Sequence, residues 1–168
     1  GEGLSLRLLV LAGSVHETEE ELGFAHFVEH MAFRGTVHHP EGDALAMFER
    51  LGLKAGTHAN AFTRPDCTVW KLDVTLPDET CLTTALQYFR DVTDGILFQE
   101  TDVAEERGVV LRELEERYGK HDSTPQHIAA ILPAVPAALR LPIGTRETLG
   151  RASAATLRAF WQRHYVPS

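Results

Sequence analysis

The chain has 168 residues, 43% of them hydrophobic, and a net charge of -8, which is enough for one compact domain with its own core and too little to promise two. With Lys and Arg dispersed, this acidic balance excludes a nucleic-acid backbone or an anionic membrane surface as the main partner, because both reward clustered cations. Two cysteines, Cys67 and Cys81, make neither a disulfide framework nor a C-x-x-C metal pair, and no apolar run approaches the roughly 20 residues that a bilayer span needs.

In chain order, Ser5 to Leu11 reads as a strand that begins at once, with neither the basic n-region nor the cleavage site of a signal peptide. Glu17 to Phe33 reads as a helix whose acidic first turn suits the positive end of its dipole. A loop follows at Gly35 to His39. Pro40 then stands where a first helical residue would, and Asp43 to Leu51 continues as a helix closed by Gly52. Two strands come next, around Lys54 to Thr63 and Cys67 to Thr75, the second rich in β-branched and aromatic residues, with Arg64-Pro65-Asp66 as the turn between them. Pro77-Asp78-Glu79 opens a helix to about Ile96, and a long helix runs from about Glu100 to Tyr118, ended by Gly119. Beyond it lie a helical stretch near Gln126 to Leu132, a passage with Pro133, Pro136 and Pro142, and a final helix from Ser153 to His164. Strands beside helical pairs give an α+β domain. The abrupt start and stop read as a single domain, residues 1–168, cut from a longer protein at both ends.

The chemistry centres on His26-Phe27-Val28-Glu29-His30, an H-x-x-E-H motif in the first helix. At ~100° per residue, His26 and His30 are only ~40° apart around the axis and one turn apart along it, so both imidazoles can reach one metal ion. Glu29 lies on the same side, where its carboxylate can act as general base on a metal-bound water without being a ligand. The three fixed positions recur by chance in about 0.04 of sequences with this composition, so the context has to decide. Leu22, Phe24, Phe27, Val28, Met31 and Phe33 make this helix apolar nearly all round, which implies burial. Two buried imidazoles and a carboxylate cost several kcal/mol, roughly, unless a partner such as a divalent cation pairs with them.

Two histidines leave a catalytic zinc one protein ligand short, and the usual third ligand in peptidases is a carboxylate. Glu106 and Glu113 are the candidates, because seven residues apart on the long helix they share one face to within ~20°. One can bind the metal while the other orients a ligand. Glu115 and Glu116 point elsewhere and read as solvated.

The H-x-x-E-H motif, Met31-Ala32-Phe33-Arg34-Gly35-Thr36, Asn60-Ala61-Phe62-Thr63, the Glu106 to Glu113 stretch and Leu141-Pro142-Ile143-Gly144-Thr145, in this order, resemble the pitrilysin/insulysin family of inverted-motif zinc peptidases. The 82 residues between His30 and Glu113 resemble the larger bacterial members more than the processing peptidases. The resemblance implies a mixed, largely antiparallel sheet packed against helices. It implies Zn2+ held by His26, His30 and Glu113, with Glu29 as base, Glu106 as supporting acid, and Asn60 and Ala61 on an edge strand that receives a peptide substrate. The implied reaction is hydrolysis of peptides or small unfolded polypeptides. The implied partner is a C-terminal half of the same protein or a homologous companion subunit, in the bacterial periplasm or cytoplasm. His58 reads as a surface histidine.

A non-catalytic, substrate-binding subunit of the same family is the first alternative, but such partners generally lose the H-x-x-E-H residues that this chain keeps. A metal lyase of S-ribosylhomocysteine type shares the motif but takes a cysteine as its third ligand, and Cys67 and Cys81 lie too early in the chain for that pattern.

Overall fold

The computed structural model describes residues 3–40, 44–54, 56–74, 78–119 and 140–166. The expected helical stretch from Gln126 to Leu132, with Pro133 and Pro136, lies outside them.

Strands β1 (Leu4–Val10), β2 (Ala59–Thr63) and β3 (Thr68–Val74) form an antiparallel sheet in the order β1-β3-β2. Leu6 stands opposite Leu72, and Ala61 opposite Trp70. The two-residue period of a strand sends Thr68, Trp70, Leu72 and Val74 to one face, where all four are buried, and Val69, Lys71 and Asp73 to the other. On that outer face Ser5 Oγ donates to Asp73 at 2.5 Å and Arg7 pairs with the same carboxylate at 2.8 Å. Such exposed pairs are worth at most about 1 kcal/mol, so the register rests mainly on the apolar face.

Among the described residues six helices cover that face or extend it: α1 (Phe24–Met31), α2 (Ala44–Arg50), α3 (Glu79–Asp94), α4 (Glu100–Tyr118), α5 (Arg146–Arg151) and α6 (Ala154–His164). Their starts follow from the sequence. Asp78 accepts from the Cys81 amide at 2.7 Å, and Thr145 and Ser153 accept from the amides of Thr148 and Thr156 at 3.2 Å each, satisfying donors that a first turn leaves free. Helix α6 seals the core. Phe160 meets Phe24 of α1 edge to face with centroids 6.2 Å apart, Tyr165 just beyond α6 reaches Trp70 of the sheet at 5.9 Å, and the Trp161 indole donates to the Val92 carbonyl of α3 at 2.9 Å. Burial of each such aromatic contributes roughly 1.5–3 kcal/mol.

Several boundaries differ from the sequence reading, three of them for a clear local reason. The helix expected from Glu17 starts only at Phe24, after two 3-10 turns at Ser14–His16 and Glu19–Glu21. Gly23 causes the break: it sits at φ 94°, a left-handed conformation that cannot continue a helix. The strand expected from Lys54 starts at Ala59, because the Lys54 carbonyl already accepts from the Thr57, His58 and Ala59 amides at 3.3, 2.8 and 3.2 Å. A carbonyl committed to a turn cannot join the ladder. The helix expected to reach Ile96 ends at Asp94, and Ile96 instead bridges to Thr36. The short helix α5 had no strong periodic signal and was not expected.

Candidate metal centre

Helix α1 carries the motif into the core: Phe24, Ala25, Phe27, Val28 and Met31 are buried, and so are His26 and Glu29, each 7% exposed. Helix α4 crosses it with a face on which Val103, Glu106 and Val110 are buried and Glu113 is half-buried. Glu106 and Glu113 therefore lie in the packed stripe itself, one turn either side of Val110, with their carboxylates against the imidazoles.

The two helices bring His26, His30 and Glu113 together. His26 Nε2 and His30 Nε2 are 3.2 Å apart, and Glu113 Oε2 lies 3.6 Å from the first and 3.3 Å from the second. Ligands at ~2.0–2.1 Å from a tetrahedral zinc ion are separated by ~3.3 Å, so these three atoms are spaced as the ligands of one such ion would be. Three protein ligands leave a fourth position open, the pattern of catalytic zinc sites. Neither Cys67 nor Cys81 belongs to the group, which leaves the lyase arrangement without its thiolate.

Other side chains hold these three residues in place. Glu106 Oε1 lies 2.7 Å from His30 Nδ1, and its other oxygen accepts from Arg34 Nε at 2.6 Å. This bond fixes the His30 tautomer so that Nε2 faces Glu113. Arg117 donates to Glu113 Oε1 at 2.6 Å, leaving Oε2 to face the histidines. Burial opposes a charge on His30, yet its hydrogen bonds with Glu106 and Glu113 raise its pKa to about 9. Burial and the neighbouring His30 lower that of His26. The hydrogen bond with His30 lowers that of Glu113. Two acids facing two imidazoles demand a positive charge between them, which a proton or a divalent ion can supply.

Glu29 is not in the ligand group. Burial raises its pKa, partly offset by the Thr63 hydroxyl, which donates to Oε2 at 2.5 Å. Thr63 drew no role from the sequence, since one hydroxyl in a strand gives no periodic signal. Arg34 and Arg117 were likewise missed, although each stands one turn from a ligand. Glu17, expected in the acidic first turn of the helix, lies seven residues before α1 and is buried at 3% exposure.

The centre opens into a cleft of about 750 Å³. Asn60 and Ala61 of β2 line one wall, beside Thr63, while Pro142 and Ile143 line another. Among the described residues β2 has no strand on its outer side, so an extended chain has a free edge to pair with there. His58 does not line the cleft; its Nδ1 accepts from the Lys54 amide at 3.1 Å and closes the turn before β2. Within the described residues no helix is long and apolar enough to cross a membrane.

Comparison with known proteins adds a family match and several likenesses. The model of the insulinase family (peptidase family M16) matches residues 3–135. The probable zinc protease PqqL of Escherichia coli is 34% identical over 166 residues, 98% of this chain and 18% of that protein. The crystal structure of the same protein, described as a periplasmic protease, superposes with a TM-score of 0.90 over 98% of this chain and 18% of its own. The beta subunit of the human mitochondrial-processing peptidase is 36% identical over 109 residues, 65% of this chain and 21% of that one. Pitrilysin, at 26% identity, superposes with a TM-score of 0.75 over 97% of this chain and 17% of its own. The chain thus spans about a fifth of the length of the relatives that it matches.

Proposed function

Because the chain belongs to the insulinase family of peptidases (peptidase family M16), we propose that it carries the zinc site of an endopeptidase that cleaves peptides or small unfolded polypeptides. The single observation that carries this reading is the trio of separations among His26 Nε2, His30 Nε2 and Glu113 Oε2, 3.2, 3.3 and 3.6 Å, which fit one tetrahedral ion. The relative named as a zinc protease supports both the metal and a protease role.

His26, His30 and Glu113 would hold the zinc ion, which when bound would supply Lewis acidity to polarise a carbonyl and lower the pKa of a water molecule to about 7. The residues of the chain do the rest. Glu29, raised in pKa by burial and held by Thr63, takes the proton of the attacking water and delivers it to the leaving amine. Glu106 keeps His30 in the tautomer that presents Nε2. The edge of β2 at Asn60 and Ala61 binds substrate main chain in extended form, so selection depends on pockets along the cleft rather than on one side chain.

Because the relatives are several times longer, the substrate and the rest of the chamber belong to the whole protein, in which a C-terminal half or a companion subunit closes over this site. The likeness to a periplasmic protease supports a bacterial periplasmic setting. A non-catalytic subunit is the weaker reading, since Glu29 and all three ligands are present. The test is hydrolysis of a quenched fluorescent peptide by zinc-loaded full-length protein and by its E29Q variant. We expect at least a thousandfold loss in the variant with zinc retained; equal activity would refute the assignment of Glu29.

A further inference from the structure

The metal-bearing helix α1 begins without a cap of its own. Gly23, at its N-terminus, has no side chain to offer, and the first amides of a helix are donors that must be satisfied when buried. Glu17 supplies what is missing from six residues upstream. One carboxylate oxygen accepts from the Gly23 amide at 2.9 Å and the other from the Ala25 amide at 2.8 Å.

Glu17 is 3% exposed and has no part in the chemistry described above, so its burial requires a reason. A buried carboxylate is costly, and alternatives with smaller cost exist: a serine or aspartate at the cap position serves most helices. At position 23 neither fits, because Gly144 packs against Gly23 so closely that a Cβ there would stand 2.9 Å from the Gly144 Cα. The cap has to come from elsewhere, and a two-oxygen acceptor grips two donors, the Gly23 and Ala25 amides, rather than one. Ala25 precedes His26 directly. Fixing its amide fixes the rotation and height of the first ligand, and through the rigid helix those of Glu29 and His30.

We propose that Glu17 is a positioning residue for the zinc site, a two-pronged cap that sets where α1 presents its metal ligands. This rests on the peptidase reading only for its effect on zinc and catalysis. Burial pushes the Glu17 carboxyl up to about 7, with Glu21 adding to the rise while the Gly23 and Ala25 amides and Arg140 pull it down. Arg140 also donates to the Glu17 carbonyl, tying the segment after position 139 to the same anchor.

The test compares full-length wild type with E17A and E17Q. Zinc affinity is measured by competition with a chromophoric chelator, hydrogen exchange is followed at the Gly23 and Ala25 amides, and kcat and KM are determined separately. We expect E17A to raise the zinc Kd about tenfold or more, to speed exchange at those two amides about tenfold or more, and to lower kcat with KM little changed. Exchange at Trp70 and Leu72 in the sheet should stay as in wild type. E17Q should fall between, because it keeps one acceptor and turns an N–H against the other amide. Unchanged exchange at Gly23 and Ala25 in E17A overturns the cap, and faster exchange with unchanged zinc affinity overturns the positioning role. If neither variant folds, the wild type decides: the Gly23 and Ala25 amide proton shifts must follow one carboxyl titration, and their indifference to it refutes the proposal. A wild type that binds no zinc would sink the peptidase reading, while the exchange rates at the two amides would still judge Glu17.

Discussion

The Thr63 hydroxyl donates to the Glu29 carboxylate at 2.5 Å, linking the strand that borders the cleft to the helix that bears the ligands. It is the single side-chain hydrogen bond to Glu29 among the described residues, and it works against the burial that raises the acid's pKa. Replacing Thr63 by Val removes the donor while keeping the shape. We expect kcat on a fluorogenic peptide to drop about 10- to 100-fold with KM nearly constant, because orientation of the base is lost and peptide binding is not. T63S should recover most of the rate; if T63V is fully active, the bond plays no part in turnover.

The Glu106 carboxylate meets His30 Nδ1 at 2.7 Å. E106Q should weaken zinc binding by about 10- to 100-fold, the range typical of a partner hydrogen-bonded to a ligating histidine. Equilibrium dialysis against buffered zinc measures it, and an affinity equal to wild type would show that His30 needs no such support.

For Glu17 the sign of the pH dependence follows from its raised pKa. The folded protein holds the Glu17 proton more tightly than an unfolded chain with the ordinary value of 4.5, because burial lifts the carboxyl to about 7. Its stabilising contribution is therefore complete below pH 4.5 and is lost as the pH rises through about 7. Relative to E17Q, metal-free wild type should lose up to ~3 kcal/mol of stability across that window, an upper bound from the size of the shift. Denaturant melts of both proteins at pH 4.5, 6 and 8 check it. Parallel pH profiles for the two would contradict the buried titration.

The H-x-x-E-H spacing alone was enough to put two imidazoles and an acid on one side of a helix, because helical geometry is local. The choice between Glu106 and Glu113 was not local: both share a face, and only the crossing of α1 and α4 decides which one meets Nε2. The resemblance to the peptidase family pointed to Glu113, and the geometry places that carboxylate beside both imidazoles. Glu17 was misread because an acid in a presumed first turn has a ready explanation in the helix dipole, whereas the Gly23 break and the approach of Gly144 depend on residues 121 positions apart. Thr63 escaped for a related reason, since its partner Glu29 lies 34 residues away. Strand β3 was legible in its β-branched and aromatic content, while the antiparallel arrangement came from the family resemblance; the start of β2 was not legible, because the turn that delays it is made by backbone groups.

Gly23 offers a stability test independent of any metal. A methyl group there would have to occupy a left-handed φ of 94° and stand 2.9 Å from both the Gly144 Cα and the Ile143 oxygen. G23A should cost about 2 kcal/mol or more and should displace the cleft wall at Pro142 and Ile143. Thermal unfolding of the metal-free variant measures the first effect. A melting temperature within a degree of wild type would mean that the close approach of the two glycines is not maintained.

The most direct test of the metal centre is anomalous diffraction at the zinc edge from crystals of full-length protein grown with zinc. The geometry predicts one strong peak at ~2.0–2.2 Å from His26 Nε2, His30 Nε2 and a Glu113 carboxylate oxygen. A peak elsewhere, or one bound by the two histidines with Glu113 turned away, would contradict it.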